Sequence, residues 1–269
     1  MMKKILEILN KKFLTNEDVI CLLSENDAEK RAVIQNYSQK IADKVKNDYH
    51  NSEVKINISN YCKADCQFCN LRNSNNKINR FRLNREEIIT KALELHKNGC
   101  DSILIHSGYD DFYNTDRIAY IIYSIKQNAK VKITLSFGLR ELNEYKEWKI
   151  AGADSYYLNT ITRNGVLYSS TNSWNSFENR VKHITELKKL GYNVGSGSII
   201  GLPNQSFSDL AEDIIFLQNL NLNYIDFCHL NSHNGISENI DTQEFIKRGI
   251  EVAQILSSDA KVRLNDLIN

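Results

Sequence analysis

Three cysteines, Cys62, Cys66 and Cys69, stand at C-x3-C-x2-C spacing in the stretch Cys62-Lys63-Ala64-Asp65-Cys66-Gln67-Phe68-Cys69. Thiolates this close on one loop can curl toward one point, and soft sulfur selects Zn, Cu(I) or an iron–sulfur cluster. Lys63, Asp65 and Gln67 make the loop polar, which argues against a trio of buried, metal-free thiols. A structural zinc site could be closed by three cysteines and a histidine. No histidine lies inside or just after the loop, however, and His50 is twelve residues upstream of Cys62. The loop follows Val54-Lys55-Ile56-Asn57-Ile58-Ser59, which alternates apolar and polar residues as a strand does. A strand end therefore presents the cysteines.

The elements that must position this loop follow in order. Residues 103–105, 131–135, 156–158, 194–200 and 224–227 read as further strands. Between them, Asn84-Arg85-Glu86-Glu87 resembles a capping box with Gly99 as its C-cap. Ser176-Phe177-Glu178-Asn179 starts another helix that ends near Gly191, and residues 243–257 form a sixth. Strands alternating with helices of this length imply parallel βαβ units with right-handed crossovers. The expected fold is α/β, a partial (βα)6 to (βα)7 parallel TIM-like barrel with N-terminal helices. Residues 261–264 are the start of the seventh strand.

Residues 1–50 read as an N-terminal helical extension packed over the bottom or side of the barrel, and residues 51–269 as the barrel itself, together one structural domain. Thr15-Asn16-Glu17-Asp18 opens a helix with a capping residue and early acids. Ala28, Ala32, Tyr37, Ile41 and Val45 sit at helical spacing across residues 27–49. Cys21 reads as a core thiol and Cys100, just after Gly99, as a barrel-bottom residue. Trp148 reads as packing and Trp174 as a loop residue.

A length of 269 residues suits one barrel, since such folds run to ~250 residues. A net charge of +1 leaves no electrostatic footprint for nucleic acid. Apolar runs such as 118–122 are too short to cross a bilayer, and the N-terminus reads as an amphipathic helix, not a signal peptide. The six cysteines form no disulfide-type pattern. A reduced, cytoplasmic compartment is expected.

The cysteine loop, with Phe68 just before its last cysteine, resembles that of the radical S-adenosylmethionine (SAM) superfamily. The flanking text, Ser59-Asn60-Tyr61-Cys62, Cys69-Asn70-Leu71-Arg72 and Arg80-Phe81-Arg82-Leu83, is similar to the branch of biotin synthase, 3-methylornithine synthase and the [FeFe]-hydrogenase maturase. The resemblance implies an anaerobic enzyme in which Cys62, Cys66 and Cys69 hold three irons of a [4Fe-4S] cluster. SAM chelates the fourth iron and is cleaved to a 5′-deoxyadenosyl radical. The implied substrate is an amino-acid-derived small molecule or a cysteine-bound metal complex. Also implied are a reducing electron donor such as flavodoxin or ferredoxin, and a partner chain over the open barrel side. The alternative is a non-catalytic iron–sulfur accessory subunit that has lost SAM turnover. No further cysteines are placed for a second cluster, so sulfur insertion is not expected.

In parallel barrels the reacting groups sit at the C-terminal strand ends. There the resemblance carries SAM contacts onto Phe68, Ser107, Gly108, Ser136, Arg180, Gly197 and Ile199. For Arg180, a guanidinium fork suits the SAM carboxylate. Glycines of the 194–200 strand would let adenine lie against the backbone, or else mark a bulge or close strand packing. Cys228, His106 and Asp110 are the catalytic candidates: a thiol that could give a hydrogen atom, a proton-transfer imidazole and an acid. His229 and His233 also lie at or beyond a strand end. Tyr109, Leu139, Asn159 and Ile161 stand where the relatives carry charged SAM contacts. Either Asp110, Asp111 or Arg163 substitutes for those, or SAM is held mainly by the iron and the backbone, or the chain has drifted to a different ligand.

Overall fold

Parallel pairing begins at the strand that carries the cysteine loop. In the computed structural model, which describes residues 2–45, 53–171, 174–229, 241–257 and 260–266, β1 (Glu53–Asn57) pairs with β2 (Ser102–His106). The order continues through β3 (Lys132–Ser136), β4 (Ser155–Tyr157) and β5 (Asn193–Ser196). Next comes β7 (Tyr224–His229), which also pairs with β6 (Ile199–Ile200) and β8 (Lys261–Asp266). All eight strands are parallel, and the sheet curls into a half-barrel. Among the described residues β1 and β8 do not pair, so the barrel stays open between them.

The connections are α4 (Arg85–Lys97), α5 (Thr115–Asn128), α6 (Leu142–Ala151), α8 (Phe177–Lys189), α9 (Phe207–Asn219) and α10 (Thr242–Leu256). Strand residues alternate between two faces. The outward set, including Ile56, Ile103, Ile105, Ile133, Leu135, Val194, Ile225 and Phe227, is buried in the main core against these helices. The inward set is different in kind. Glu53, Lys55, His106, Ser136, Tyr157, Asp226 and Arg263 face a shared cavity. A closed barrel fills that space with branched apolar side chains; polar side chains here leave it hollow.

The N-terminal helices α1 (Met2–Leu9), α2 (Asn16–Ser24) and α3 (Ala28–Ala42) precede the sheet, with α2 packed on α9 and α3 on α10. Arg31 pairs with Glu251, and Arg248 donates to the Leu23 carbonyl at 3.0 Å. Both predicted caps form: Thr15 and Asp18 make a capping box, as do Asn84 and Glu87. The helix expected across 27–49 stops at Ala42, where the Asp43 N–H closes onto Gln39 and Ile41; residues 46–52, Tyr49 and His50 among them, lie outside the described residues. Aspartate is a poor helix former and favours such an end.

Two further differences matter to the site. The strand expected over 194–200 divides into β5 and β6, because the chain must pass over the β7 backbone at Gly197. A short helix, α7 (Gly165–Thr171), was not legible. Its glycine, valine, serines and threonine are weak helix formers, yet Asn164 caps it by accepting from the Val166 and Leu167 N–H groups at 2.9 and 3.1 Å. No helix among the described residues is long and apolar enough to cross a membrane.

Candidate functional site

The cysteine loop is locked at both ends. The Ile58 N–H extends the β1–β2 ladder to the His106 carbonyl at 2.9 Å, and the chain returns beside it where the Leu83 N–H donates to the Ile58 carbonyl at 2.8 Å. Inside this return, the Arg80 guanidinium donates to the carbonyls of Asn60, Leu71 (3.0 Å), Arg72 (2.8 Å) and Asn75 (3.1 Å). Carbonyls in a folded loop need such partners; one guanidinium supplies them here. From the other side, the Thr171 carbonyl at the end of α7 accepts the Gln67 N–H at 3.0 Å.

Asp110 belongs to this frame and not to the cavity. Its carboxylate takes both arms of Arg82 at 2.9 Å and the Ser59 hydroxyl at 2.7 Å, and it does not line the cavity. Burial pushes the Asp110 carboxyl up, but the Arg82 fork, Ser59 and the Phe112 N–H outweigh it and hold the group below its ordinary range. The structure thus places Asp110 in the frame of the loop, its carboxylate bonded to Arg82 and Ser59. Asp111 pairs with Lys63 at the surface. The Arg163 N–H donates to the buried Asp213 and its guanidinium lies over Phe216. None of the three reaches the cavity wall.

The cavity has a volume of about 430 Å³, and Cys62, Cys66 and Cys69 share its wall. All three thiols are half-buried. Burial pushes Cys66 up to about 11, against the pull of the Arg180 charge, and Cys69 up to about 12; the neighbouring thiols raise both. The Tyr109 N–H donates to the Cys62 Sγ at 3.3 Å. Cys66 and Cys69 rest on an apolar bed of Phe68, Ile161, Leu167, Tyr168, Ile199, Leu202 and Cys228.

This donor set fits an iron–sulfur cluster with one open iron. Three thiols share one wall of the cavity, and soft thiolate sulfur is the donor that such clusters take. Burial thus favours the neutral thiol at Cys66 and Cys69, whereas metal coordination deprotonates a thiol outright.

Gly108 sets how closely β2's end loop can approach. A Cβ there would overlap the Tyr61 carbonyl oxygen and come within 2.7 Å of the Cys62 Cβ. Gly108→Ala is expected to shift Cys62 and weaken cluster retention about 10–100-fold, as loss of an outer partner does. Iron and sulfide analysis after gel filtration checks this; full retention would show that the loop tolerates the displacement.

The remaining site residues fall into two groups. Phe68, Ser107, Gly108, Ser136, Arg180, Ile199, His106 and Cys228 all line the cavity, as do Tyr109, Leu139, Asn159 and Ile161. Arg180 donates to the Tyr168 hydroxyl at 3.0 Å and the Asn159 carbonyl at 2.9 Å. Ile161 holds a φ of 73°, rare for a β-branched residue; the Asn159 side chain accepts its N–H at 2.5 Å and the Ile199 N–H donates to its carbonyl at 2.7 Å. Burial pushes His106 down to about 3, so its ring is neutral, with Nδ1 3.2 Å from the Asn57 Oδ1. Cys228 is buried, pushed up to about 12 by burial, with the Asn159 Nδ2 at 3.7 Å and the Tyr157 hydroxyl at 3.8 Å.

Gly197 is in the second group. It does not line the cavity, because the missing Cβ makes room for the Asp226 backbone. Its position against that backbone is the close strand packing that the sequence left open beside the cofactor contact. His229 ends β7 without lining the cavity, and His233 lies outside the described residues.

Several lining residues were missed in the sequence: Glu53, Lys55, Tyr157, Asp226, Arg263 and Trp174. Arg263 forks onto Asp226 with both contacts at 2.6 Å and lies 3.7 Å from Glu53. Trp174 meets Tyr109 edge-on at 5.8 Å. The alternation of residues 53–57 carried the signal for Glu53 and Lys55, since their polar face turns inward.

Comparison with known proteins agrees with this geometry. Residues 56–217 match the radical SAM superfamily. The "[FeFe] hydrogenase maturase subunit HydE" of Thermotoga maritima is 37% identical over 220 residues, which are 80% of this chain and 62% of that protein. The "3-methylornithine synthase" of Methanosarcina acetivorans is 29% identical over 197 residues, 71% of this chain and 55% of that one. The chain thus spans less than two thirds of either relative. A crystal structure of methylornithine synthase superposes with a TM-score of 0.82 at 20% identity, covering 97% of this chain and 85% of that one; at this identity the likeness is one of fold.

Proposed function

The chain belongs to the radical SAM superfamily, and from that premise we propose that it cleaves SAM reductively and directs the resulting radical at a small molecule held inside the half-barrel. The observation that carries the reading is the shared wall: three thiols and Phe68 face the same cavity as the inward residues of β1, β2, β4, β7 and β8. Cys62, Cys66 and Cys69 would hold a [4Fe-4S] cluster. Held there with SAM bound, such a cluster would supply the electron for reductive cleavage of a SAM C–S bond.

The chain's own residues bind and orient. Ser107, Gly108, Ser136 and Ile199 line the wall against which SAM would lie. Arg180, anchored by Tyr168 and Asn159 and close enough to Cys66 to lower its thiol, is placed to take a carboxylate. His106 stays neutral and Cys228 stays a thiol, so neither places a charge beside the reacting centre. A cavity of about 430 Å³ falls in the small-molecule range of about 300–1,000 Å³. The names of the two relatives support an amino-acid-derived substrate or a cysteine-bound metal complex. A reduced flavodoxin or ferredoxin would supply the electron.

One observation favours a second reading, a cluster-binding subunit without SAM turnover. The carboxylates that line the cavity, Glu53 and Asp226, are both engaged by Arg263, and leaving a sulfonium's charge unmatched in a buried site is costly. One experiment separates the two. The anaerobically reconstituted protein, given dithionite and SAM, is expected to form 5′-deoxyadenosine and to change its EPR spectrum when SAM is added. A complete cluster with neither response would leave the second reading standing.

A further inference from the structure

The charges inside the half-barrel are unevenly matched. Arg263 is bonded to Asp226 and lies beside Glu53. Lys55, one position along the inner face of β1 from Glu53, lines the same cavity, yet among the described residues no carboxylate lies within ion-pair distance of its ammonium. Its charge is felt by His106 on β2 and Cys228 on β7, which lowers both groups. All three residues line the cavity, so the ammonium shares the hollow with groups beyond its own strand. Lys55 is exposed, so it can take a ligand without first breaking an ion pair.

We infer that Lys55 is the substrate's anion contact: its ammonium receives a carboxylate of a small molecule whose reacting end points up toward the cysteine loop. This rests on the cavity being the substrate site. The surroundings support an anion there. His106 and Cys228, which line the cavity with it, carry no carboxylate to compete for the ammonium. Asn159 and Tyr157, within 4 Å of the Cys228 sulfur, add polar groups that can bond a second oxygen or an amine. The two carboxylates that could repel an anion are occupied by Arg263.

Cys228 makes the inference testable without knowing the substrate. Iodoacetate and iodoacetamide both alkylate a thiol: the sulfur displaces iodide, the C–I bond breaks, and the thiol proton leaves to solvent. They differ in that one carries a carboxylate. The ratio of their rates at Cys228, read by mass spectrometry on the cluster-reconstituted protein, cancels the effect of Cys228's own acidity. Lys55 should raise that ratio about tenfold, as a fixed charge concentrates a counter-ion in a cleft. Lys55→Gln should bring it down to the ratio for free glutathione, and Lys55→Arg should keep it. An equal ratio in the unmutated and Lys55→Gln proteins would overturn the inference. So would a Cys228 that neither reagent reaches, because a carboxylate of that size could not then enter. Deoxyadenosine formation with an unchanged ratio removes Lys55 alone, whereas a changed ratio without deoxyadenosine leaves an anion-reading cavity that does not run the proposed reaction.

Discussion

Cys66→Ala, reconstituted anaerobically with iron and sulfide, is expected to lose its stable cluster and to form 5′-deoxyadenosine more than about a hundredfold more slowly than the unmutated chain, beyond the upper end of what losing an outer partner costs. Two thiols cannot fix the orientation of a cube, and the vacated position lies on the apolar bed of Phe68, Ile161 and Ile199, whose own thiol, Cys228, is buried beside Tyr157 and Asn159. The fold should survive, because the loop is held by Arg80 and by the Arg82–Asp110 pair, not by its thiols. Circular dichroism should therefore be unchanged while the absorbance of the cluster and its iron and sulfide disappear. Cys228→Ala is the informative contrast. It removes the fourth cavity thiol but no proposed ligand, so full iron and sulfide content should remain. If the Cys66 variant keeps a complete cluster, or the Cys228 variant loses it, the ligand assignment is wrong.

The second large effect is on stability. An alanine at Gly197 would place its Cβ inside the Asp226 carbonyl, with the Asp226 carbonyl carbon scarcely farther. Overpacking against a side chain can relax for about 1–3 kcal/mol; overpacking against backbone between paired strands cannot relax without parting β5 from β7. Gly197→Ala is expected to cost at least about 3 kcal/mol, which at this chain length lowers Tm by roughly 10 °C. Gly165→Ala is the control, because nothing lies within 4 Å of a Cβ there. Calorimetry of the two variants decides the matter: equal melting temperatures would mean that the strands are not as close at Gly197 as the structure has them.

The outward faces of the strands were readable because they follow from two elementary rules. Ile103 and Ile105, Ile133 and Leu135, Ile225 and Phe227 repeat at period two, and helices with legible caps lie between them. Apolar residues at that spacing have to be covered by helices, whatever the rest of the chain does. The capping boxes are equally local, since Asn84 and Glu87 need only each other's backbone. The inward face obeys no such rule. Tyr157, Asp226 and Arg263 are far apart in the chain; Asp226 and Arg263 meet as register partners of β7 and β8, and Tyr157 reaches the Asp226 carbonyl across β5, while the end of α7 accepts the Gln67 N–H of the cysteine loop.

By itself, the sequence determined the βα alternation, the strand that presents the cysteines, and the three sulfurs, because each depends on residues within one or two turns of chain. Only the tertiary structure decided that Asp110 braces the loop, that Gly197 packs against the Asp226 backbone, and that Lys55 shares the hollow with carboxylates bonded to Arg263. Each of those roles is set by what stands opposite in space, and a carboxylate, a missing Cβ or an ammonium has the same chemistry on paper whether its partner is a neighbouring strand or a ligand.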